Sequence, residues 1–536
     1  MQIIEQNIGE MKRTSPAAHG NCRLSSFCIA SENEDGVLLC QTATGGMVLL
    51  SREEYERVKN PTFLTEPWME KLADLQYLRE IGTDEYAQVD ERRRRYYESS
   101  EAKGCITDFT ILPTSRCNAR CFYCYEQGIP QKNMSRETAQ SVADYIIRVS
   151  GGKKVRLGWF GGEPTLGADI ISLICQRLRE NGVSYTSGII SNGLLLDDGM
   201  IHRAAEEWNL KHIQITLDGT EPVYQQVKNY KGNPVSPFRT VLEHIDAMLA
   251  QKLHVSIRIN LGLHNVDDVR ELITQLDRHF PERKYLTVYV HQIDNYYAVE
   301  DHIQLMEWTE ALNRRLVKRS LQKLPGLPQL RDHSCMADRA DSVVINPDGQ
   351  LGKCEHYVFE KLHGTIHSEE QDKQLCSAWR ETVRFPHCSS CPLYASCLRL
   401  KWCNGGEFDC TEEMAAQKIR VTQELMCSHY LKWLQNRQSF REKWFVLTVP
   451  YTLLHTQNGA KAIFQTQGGE SIPVNQTSVE ILEILQKGAF FQDIVCELEE
   501  RYCAEPEQIQ DAVASYLREL LELRICKYES GELCKE

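Results

Sequence analysis

From residue 109 to residue 291, short runs of β-branched and aromatic residues alternate with longer stretches whose apolar positions recur at helical spacing. The strand-like runs are Phe109 to Pro113, Val155 to Phe160, Ser187 to Ser191, His212 to Leu217, Val255 to Leu261 and Tyr285 to His291. Between them, Ser135 to Val149, Ile170 to Glu180 and Ser236 to Gln251 have the length and period of amphipathic helices, with Ser135 and Ser236 placed to cap two of them. Strand followed by helix, six times over, predicts an α/β fold: a (βα)6 partial barrel on a curved parallel sheet. Its chemistry belongs in the loops at the carboxyl ends of the strands.

The flanks read differently. Upstream, Ser26 to Leu50 contains three short strand-like runs leading into a helix at Arg52 to Lys59, a small separate module. The run Arg92 to Arg95 reads as a solvated helix face, with a contact surface as the alternative. Downstream, the stretch from Cys335 to Cys427 is rich in cysteine and carries a turn at Asn346 to Gly349, which predicts a loop-dominated region that folds around metal. From Trp444 to Tyr528, strand-like runs precede amphipathic helices at Ser478 to Gln486, Phe491 to Tyr502 and Ile509 to Leu523, as in an independent small α/β domain. The expected divisions are therefore 1–104, 105–310, 311–440 and 441–536.

Composition narrows the function. A chain of 536 residues exceeds a single core, and 42% hydrophobic with 25% charged residues supports folded, soluble domains. The formal net charge of −13 argues against nucleic acid or an anionic membrane as the main partner. No apolar run reaches transmembrane length and the first residues lack a secretory pattern, so a cytoplasmic location is expected. In that compartment 21 cysteines are too many for packing alone, and clustered ones point to zinc or to iron and sulfide.

Directly after the first strand stand Cys117, Cys121 and Cys124, a CX3CX2C triplet. Chance alone would give on the order of 0.03 such triplets in this chain. A zinc loop is the alternative, but structural zinc takes four protein ligands, whereas three thiolates leave one iron of a [4Fe-4S] cluster open. The triplet resembles the signature of radical S-adenosylmethionine (SAM) enzymes, whose fold is also a (βα)6 partial barrel. Tyr123 matches the family's aromatic near the adenine, and Gly161, Gly162 and Glu163 after the second strand match its motif for the methionine amino group. Ser191 and Asn192 after strand three, Asp218 after strand four, and Arg258 and Asn260 on strand five resemble its contacts to the SAM ribose and carboxylate; a loop cap or buried ion pair is the alternative for each. The resemblance implies that SAM chelates the open iron and yields a 5'-deoxyadenosyl radical. No catalytic side chain is assigned.

The second cysteine region resembles the SPASM domain, which holds two auxiliary [4Fe-4S] clusters, for three in all. By that resemblance Cys388, Cys391, Cys397 and Cys427 bind one cluster, while Cys335 and Cys354 share the other with a later cysteine. The family's last cysteine of the central run falls at Lys401; Cys403 is favoured as its replacement, with Cys410 and Cys376 as alternatives. A zinc ribbon would need two CX2C knuckles in this region, and there is one. The remaining cysteines, among them Cys503 and Cys534, read as packing residues.

Finally, the stretch from Val474 to Tyr502 resembles the small winged-helix PqqD-like element that recognises leader peptides of ribosomally made precursors; a winged-helix dimerisation or DNA-binding domain is the alternative. Taken together, the resemblances imply a radical SAM/SPASM maturase that modifies a leader-bearing, cysteine-rich peptide, joining sulfur to carbon as a thioether. Carbon-carbon crosslinking and formylglycine formation are the alternative chemistries, and a zinc-stabilised peptide-binding scaffold is the alternative without catalysis. The implied partners are the precursor peptide and an electron donor such as a flavodoxin or ferredoxin.

Overall fold

The computed structural model describes residues 1–5, 22–60, 67–293, 299–403, 410–435, 442–456, 459–465, 471–502 and 506–530. Six parallel strands form its centre: Asp108–Thr114, Val155–Gly161, Tyr185–Ser191, Leu210–Thr216, His254–Leu261 and Leu286–Gln292, side by side in chain order. Alternate residues of these strands point into one core. Phe109, Ile111, Leu157, Trp159, Ile189, Ile213, Ile215, Ile257, Ile259, Val288 and Val290 are buried there against the apolar faces of the outer helices. Each such side chain taken out of water contributes roughly 1.5–3 kcal/mol, which fixes the register. All six expected strands are present within one or two residues.

The helices follow the same logic. Arg136–Val149 begins where expected, with the Ser135 hydroxyl accepting from the Thr138 amide at 3.0 Å. Helix Pro237–Ala250 differs: Ser236 precedes it at φ 44°, outside the extended backbone from which a cap side chain reaches the second and third amides, and makes no side-chain cap.

The parallel sheet does not stop at the barrel. Strand Ser342–Ile345 pairs in parallel with the first barrel strand, and Gln350–Gly352 and Leu362–Thr365 follow it antiparallel, giving nine strands in one sheet. The cysteine-rich region is thus an outgrowth of the sheet edge beside the first strand. Arg92 and Arg93 are a contact surface against it, contrary to the solvated face expected. Arg92 grips Asp332 through two hydrogen bonds, and Arg93 donates to the carbonyls of Arg331, Tyr394, Ala395 and Cys397. Arg94 and Arg95 do face solvent, paired with Glu91 and Glu98.

The two ends of the chain meet. Strands Gln2–Glu5, Cys28–Asn33, Gly36–Gln41 and Gly46–Leu50 form an antiparallel sheet. Its Ile29, Leu38 and Met47 share one hydrophobic core with Met426 and Tyr430 of helix Glu412–Gln435 and with Phe445, Leu482, Ile494 and Leu517 of the carboxyl-terminal module. The modules expected to be separate and independent are therefore packed as one unit. Asp35 sits at the seam, taking hydrogen bonds from Tyr430, Lys443 and Tyr528. Beyond it lie the expected helices, Gln476–Lys487, Phe491–Glu499 and Pro506–Glu522, and a meander of Tyr451–Thr456, Gly459–Phe464 and Ser471–Val474. Among the described residues no helix is long and apolar enough to cross a membrane.

Candidate functional site

The loop bearing Cys117, Cys121 and Cys124 leaves the carboxyl end of the first barrel strand and is pinned from three sides. From the second strand, the Gly162 amide reaches the Thr114 carbonyl and the Glu163 amide donates to the Arg116 carbonyl at 2.8 Å. This approach requires glycine: Gly161 has φ 125°, and a Cβ on Gly162 would fall 2.4 Å from the Arg116 carbonyl oxygen. From the third strand, Asn192 donates through Nδ2 to Asn118 Oδ1 at 2.7 Å. From the loop after the fourth strand, Arg120 and Lys231 exchange backbone bonds with the carbonyls of Lys228 and Asn118, and the Lys231 ammonium donates to the Cys117 carbonyl.

The three thiols are partly buried and close enough to act on one another. Burial pushes Cys117 up to about 11 and Cys124 up to about 12, with the neighbouring cysteines and Glu126 adding to the shift. Burial also raises Cys121, against the opposing field of Lys228. Soft donors held this way give up their protons to a metal centre, and three of them suit a [4Fe-4S] cluster with one open iron. Among the described residues no three His, Cys, Asp or Glu side chains close on a point as ligands of a single ion do; cluster ligands stand at the corners of a cube, farther apart.

Apart from Gly161 and Gly162, every residue matched to SAM contacts falls in one of two polar networks at the strands' carboxyl ends. In the first, the buried Glu163 carboxylate accepts from the hydroxyls of Thr165 and Ser191 at 2.6 and 2.8 Å and from the amides of Thr165 and Asn192. Burial raises its pKa and these four donors oppose the rise. The Glu163 side chain therefore ties the second strand to the third, and the motif meets the cluster loop through its backbone.

In the second network, Tyr123 donates to Asp218 Oδ1 at 2.8 Å while Asn260 Nδ2 reaches both Asp218 and the Tyr123 oxygen. Burial holds the Tyr123 phenol well up, and the Asp218 charge adds to this. Lys228, buried with Asp218, lies 2.8 Å from its Oδ2 as an ion pair off the hydrogen-bond direction, and donates to the Thr216 hydroxyl at 2.6 Å. Arg258 donates to Asn260 Oδ1 at 2.8 Å and lies 3.1 Å from His291 on the sixth strand. Asn118, Lys228, His291 and Asn265, whose Nδ2 donates to the backbone carbonyls of Asp218 and Asn260, complete these networks and were not singled out from the sequence. No spacing marks them; only the Gly161-Gly162-Glu163 match could have pointed to partners on neighbouring strands.

In the second cysteine region two sets emerge. Cys354 is raised by burial first, then by Glu355, with Cys335 and Cys403 acting on it as well. Burial raises Cys391, and Cys397, Cys388 and Cys410 add to it. Cys403 lies near enough to Cys335 and Cys354 to act on them, and the turn expected after it lies outside the described residues. Cys427 lies on helix Glu412–Gln435 with its Sγ 3.8 Å from the Ser31 hydroxyl, packed against the same core as Cys391. Cys376 lies near Lys353 and Asp372. The first site and the second region touch: Tyr125, next to Cys124, stacks on His356, two residues beyond Cys354, at 3.7 Å between ring centroids.

Residues 111–276, which hold the triad, the Glu163 network and the Tyr123, Asp218 and Asn260 cluster, match the family model of the radical SAM superfamily. Those residues are a radical SAM domain. The chain also carries a PqqD-like domain, since residues 460–525 match the model of coenzyme PQQ synthesis protein D. Relatives of the chain include an uncharacterized protein of Methanocaldococcus jannaschii, 24% identical over 48% of this chain and 88% of its own length. A probable GTP 3',8-cyclase of the same organism is 23% identical over 35% of this chain and 64% of its own. The Fe-coproporphyrin III synthase of Methanosarcina barkeri is 28% identical over 31% of this chain and 39% of its own. Among solved structures, native anSMEcpe with bound AdoMet aligns at 15% identity and TM-score 0.48 over 62% of this chain and all of its own. Streptococcus suis SuiB aligns at 15% identity and TM-score 0.41, over 70% of this chain and 94% of its own.

Proposed function

We propose that the chain is a radical SAM enzyme that modifies a ribosomally made peptide docked through the PqqD-like domain, joining a cysteine sulfur to a carbon as a thioether. The observation that carries the reading is the union, in one chain, of the pinned triad at the barrel mouth with a PqqD-like module whose strand Ser471–Val474 ends its sheet as an open edge. An open edge captures an extended peptide by strand addition, with side-chain pockets setting the register. When bound, SAM on a cluster held by Cys117, Cys121 and Cys124 supplies a 5'-deoxyadenosyl radical that takes hydrogen from carbon.

The chain's own residues position and shield. Tyr123, Asp218, Asn260 and Arg258 form a rigid polar rim where SAM would lie, each already oriented by a neighbour, so binding orders little that is loose. Ser191 and Asn192 are fixed by Glu163. Cys388, Cys391, Cys397 and Cys410 make a complete four-thiol set for one auxiliary cluster, whereas Cys335, Cys354 and Cys403 are three, leaving a corner for a substrate sulfur. That incomplete set favours sulfur chemistry over a carbon-carbon bond.

The test is anaerobic turnover of the reconstituted, reduced enzyme with a short cysteine-rich peptide encoded beside it. The expected product has lost two hydrogens per crosslink and one alkylatable thiol for each. A product with the same mass loss and every thiol still alkylatable would point to carbon-carbon crosslinking.

A further inference from the structure

Away from the barrel mouth, a cleft of about 1260 Å³ separates the barrel's outer helices from the carboxyl-terminal module. Its walls are helices Val266–His279 and Val299–Lys318, helix Glu412–Gln435, the sheet-edge strands Cys28–Asn33 and Ser471–Val474, and the end of helix Pro506–Glu522. Eight lysines and arginines line it against three glutamates, in a chain whose formal net charge is −13. The cleft is thus opposite in sign to the protein around it. Ile472, Leu521 and Trp308 supply apolar wall between the charges.

The cations crowd one another. Arg314 pairs with Glu424, Arg319 with Asp277 and Arg270 with Asp267. Arg315 donates to the Thr274 hydroxyl at 3.2 Å and has a buried Nε with no hydrogen-bond partner among the described residues. Burial lowers the pKa of its guanidinium, and the charges of Arg319 and Arg270 lower it further. An anion in the cleft would relieve that field.

We infer that the cleft holds an acidic segment of the peptide substrate, which adds to the Ser471–Val474 edge and lays carboxylates against Arg315, Lys318 and Arg319. The inference rests on the proposed peptide docking and names the chemistry it selects. Pro473 has no amide hydrogen, so this edge offers less than a full ladder of backbone bonds and leaves more of the recognition to charge. A neutral or basic segment would gain nothing from the arginines, and a basic one would be repelled.

The experiment uses the full, cluster-loaded enzyme and three fluorescein-labelled synthetic peptides of one alternating valine-polar pattern, with glutamate, glutamine or lysine at the polar positions. Fluorescence anisotropy at low and raised salt reads binding. The glutamate peptide is expected to bind at least tenfold more tightly than the glutamine peptide, to weaken steeply with salt, and to lose that advantage in Arg315→Ala/Lys318→Ala. The comparison among peptides on the unaltered enzyme stands even if the double variant folds poorly. Equal binding of all three peptides leaves docking intact and overturns the acidic preference. Binding of none overturns the docking reading as well.

Discussion

Gly162 and Arg116 meet backbone to backbone, one residue before the first cysteine of the triad: a methyl group on Gly162 would stand 2.4 Å from the Arg116 carbonyl oxygen and 2.7 Å from that of Ser115. Neither oxygen belongs to a flexible side chain, so the only relief is movement of the cysteine loop. Gly162→Ala is expected to lose the SAM-binding cluster and keep the auxiliary ones, so that iron falls from about twelve atoms per chain to about eight. Deoxyadenosine formation falls with it. Iron analysis of the anaerobically purified variant checks this; full iron content would show that the contact does not hold the loop.

The pairing of Asp218 with Lys228 makes a second prediction. Both side chains are nearly inaccessible, at 1% and 2% exposure. Removing the cation in Lys228→Met leaves the buried carboxylate its hydrogen bonds from Tyr123 and Asn260 but no counter-charge, at a cost of about 3–5 kcal/mol. Thermal unfolding should show a markedly lower midpoint for Lys228→Met and partial recovery in Asp218→Asn/Lys228→Met. An unchanged midpoint in the single variant would contradict the pairing.

The choice between Cys410 and Cys427 is tested by metal content. Cys410→Ala should lose about four iron atoms per chain, and Cys427→Ala should retain the full complement. The reverse pattern would return Cys427 to the cluster.

Much of this was legible in the sequence, for identifiable reasons. The six barrel strands stand out because each must bury one face in the core and carries the β-branched residues that do so. The triad stands out because thiolate spacing is itself the chemistry. What escaped was long-range. Lys228, 10 residues from Asp218, returns to it at the end of helix Glu221–Lys228, and His291, 33 residues from Arg258, meets it because one strand folds beside the next. Which later cysteines complete each auxiliary set is likewise set by proximity in the fold and not by order along the chain. The stretch Ser26 to Leu50 reads as a separate module because nothing local announces that Ile29 and Met47 will be covered by Met426 and Tyr430.

That seam gives a pH prediction. Burial works to raise the Asp35 carboxyl, but hydrogen bonds from Lys443, Tyr430 and Tyr528 outweigh it and hold the pKa below its ordinary value. A depressed folded pKa stabilises the charged form, so its contribution is complete above the unfolded value of about 3.9 and is lost as pH falls through the lower folded one. Hydrogen exchange in strands Lys443–Leu447 and Cys526–Ser530 should therefore quicken as pH falls below about 4, once corrected for intrinsic rates. In Asp35→Asn it should already be faster at neutral pH and change less with acid. Equal protection in the two proteins would contradict the role of Asp35.

The central claim is that Cys117, Cys121 and Cys124 hold the cluster on which SAM is cleaved. Its most direct measurement is the product of incubating the reconstituted, dithionite-reduced enzyme with SAM alone. The prediction is 5'-deoxyadenosine and methionine in equal amounts from the unaltered protein and neither from Cys117→Ala, Cys121→Ala or Cys124→Ala. Absence of deoxyadenosine from the iron-loaded unaltered enzyme, or its persistence in the three variants, would contradict the account.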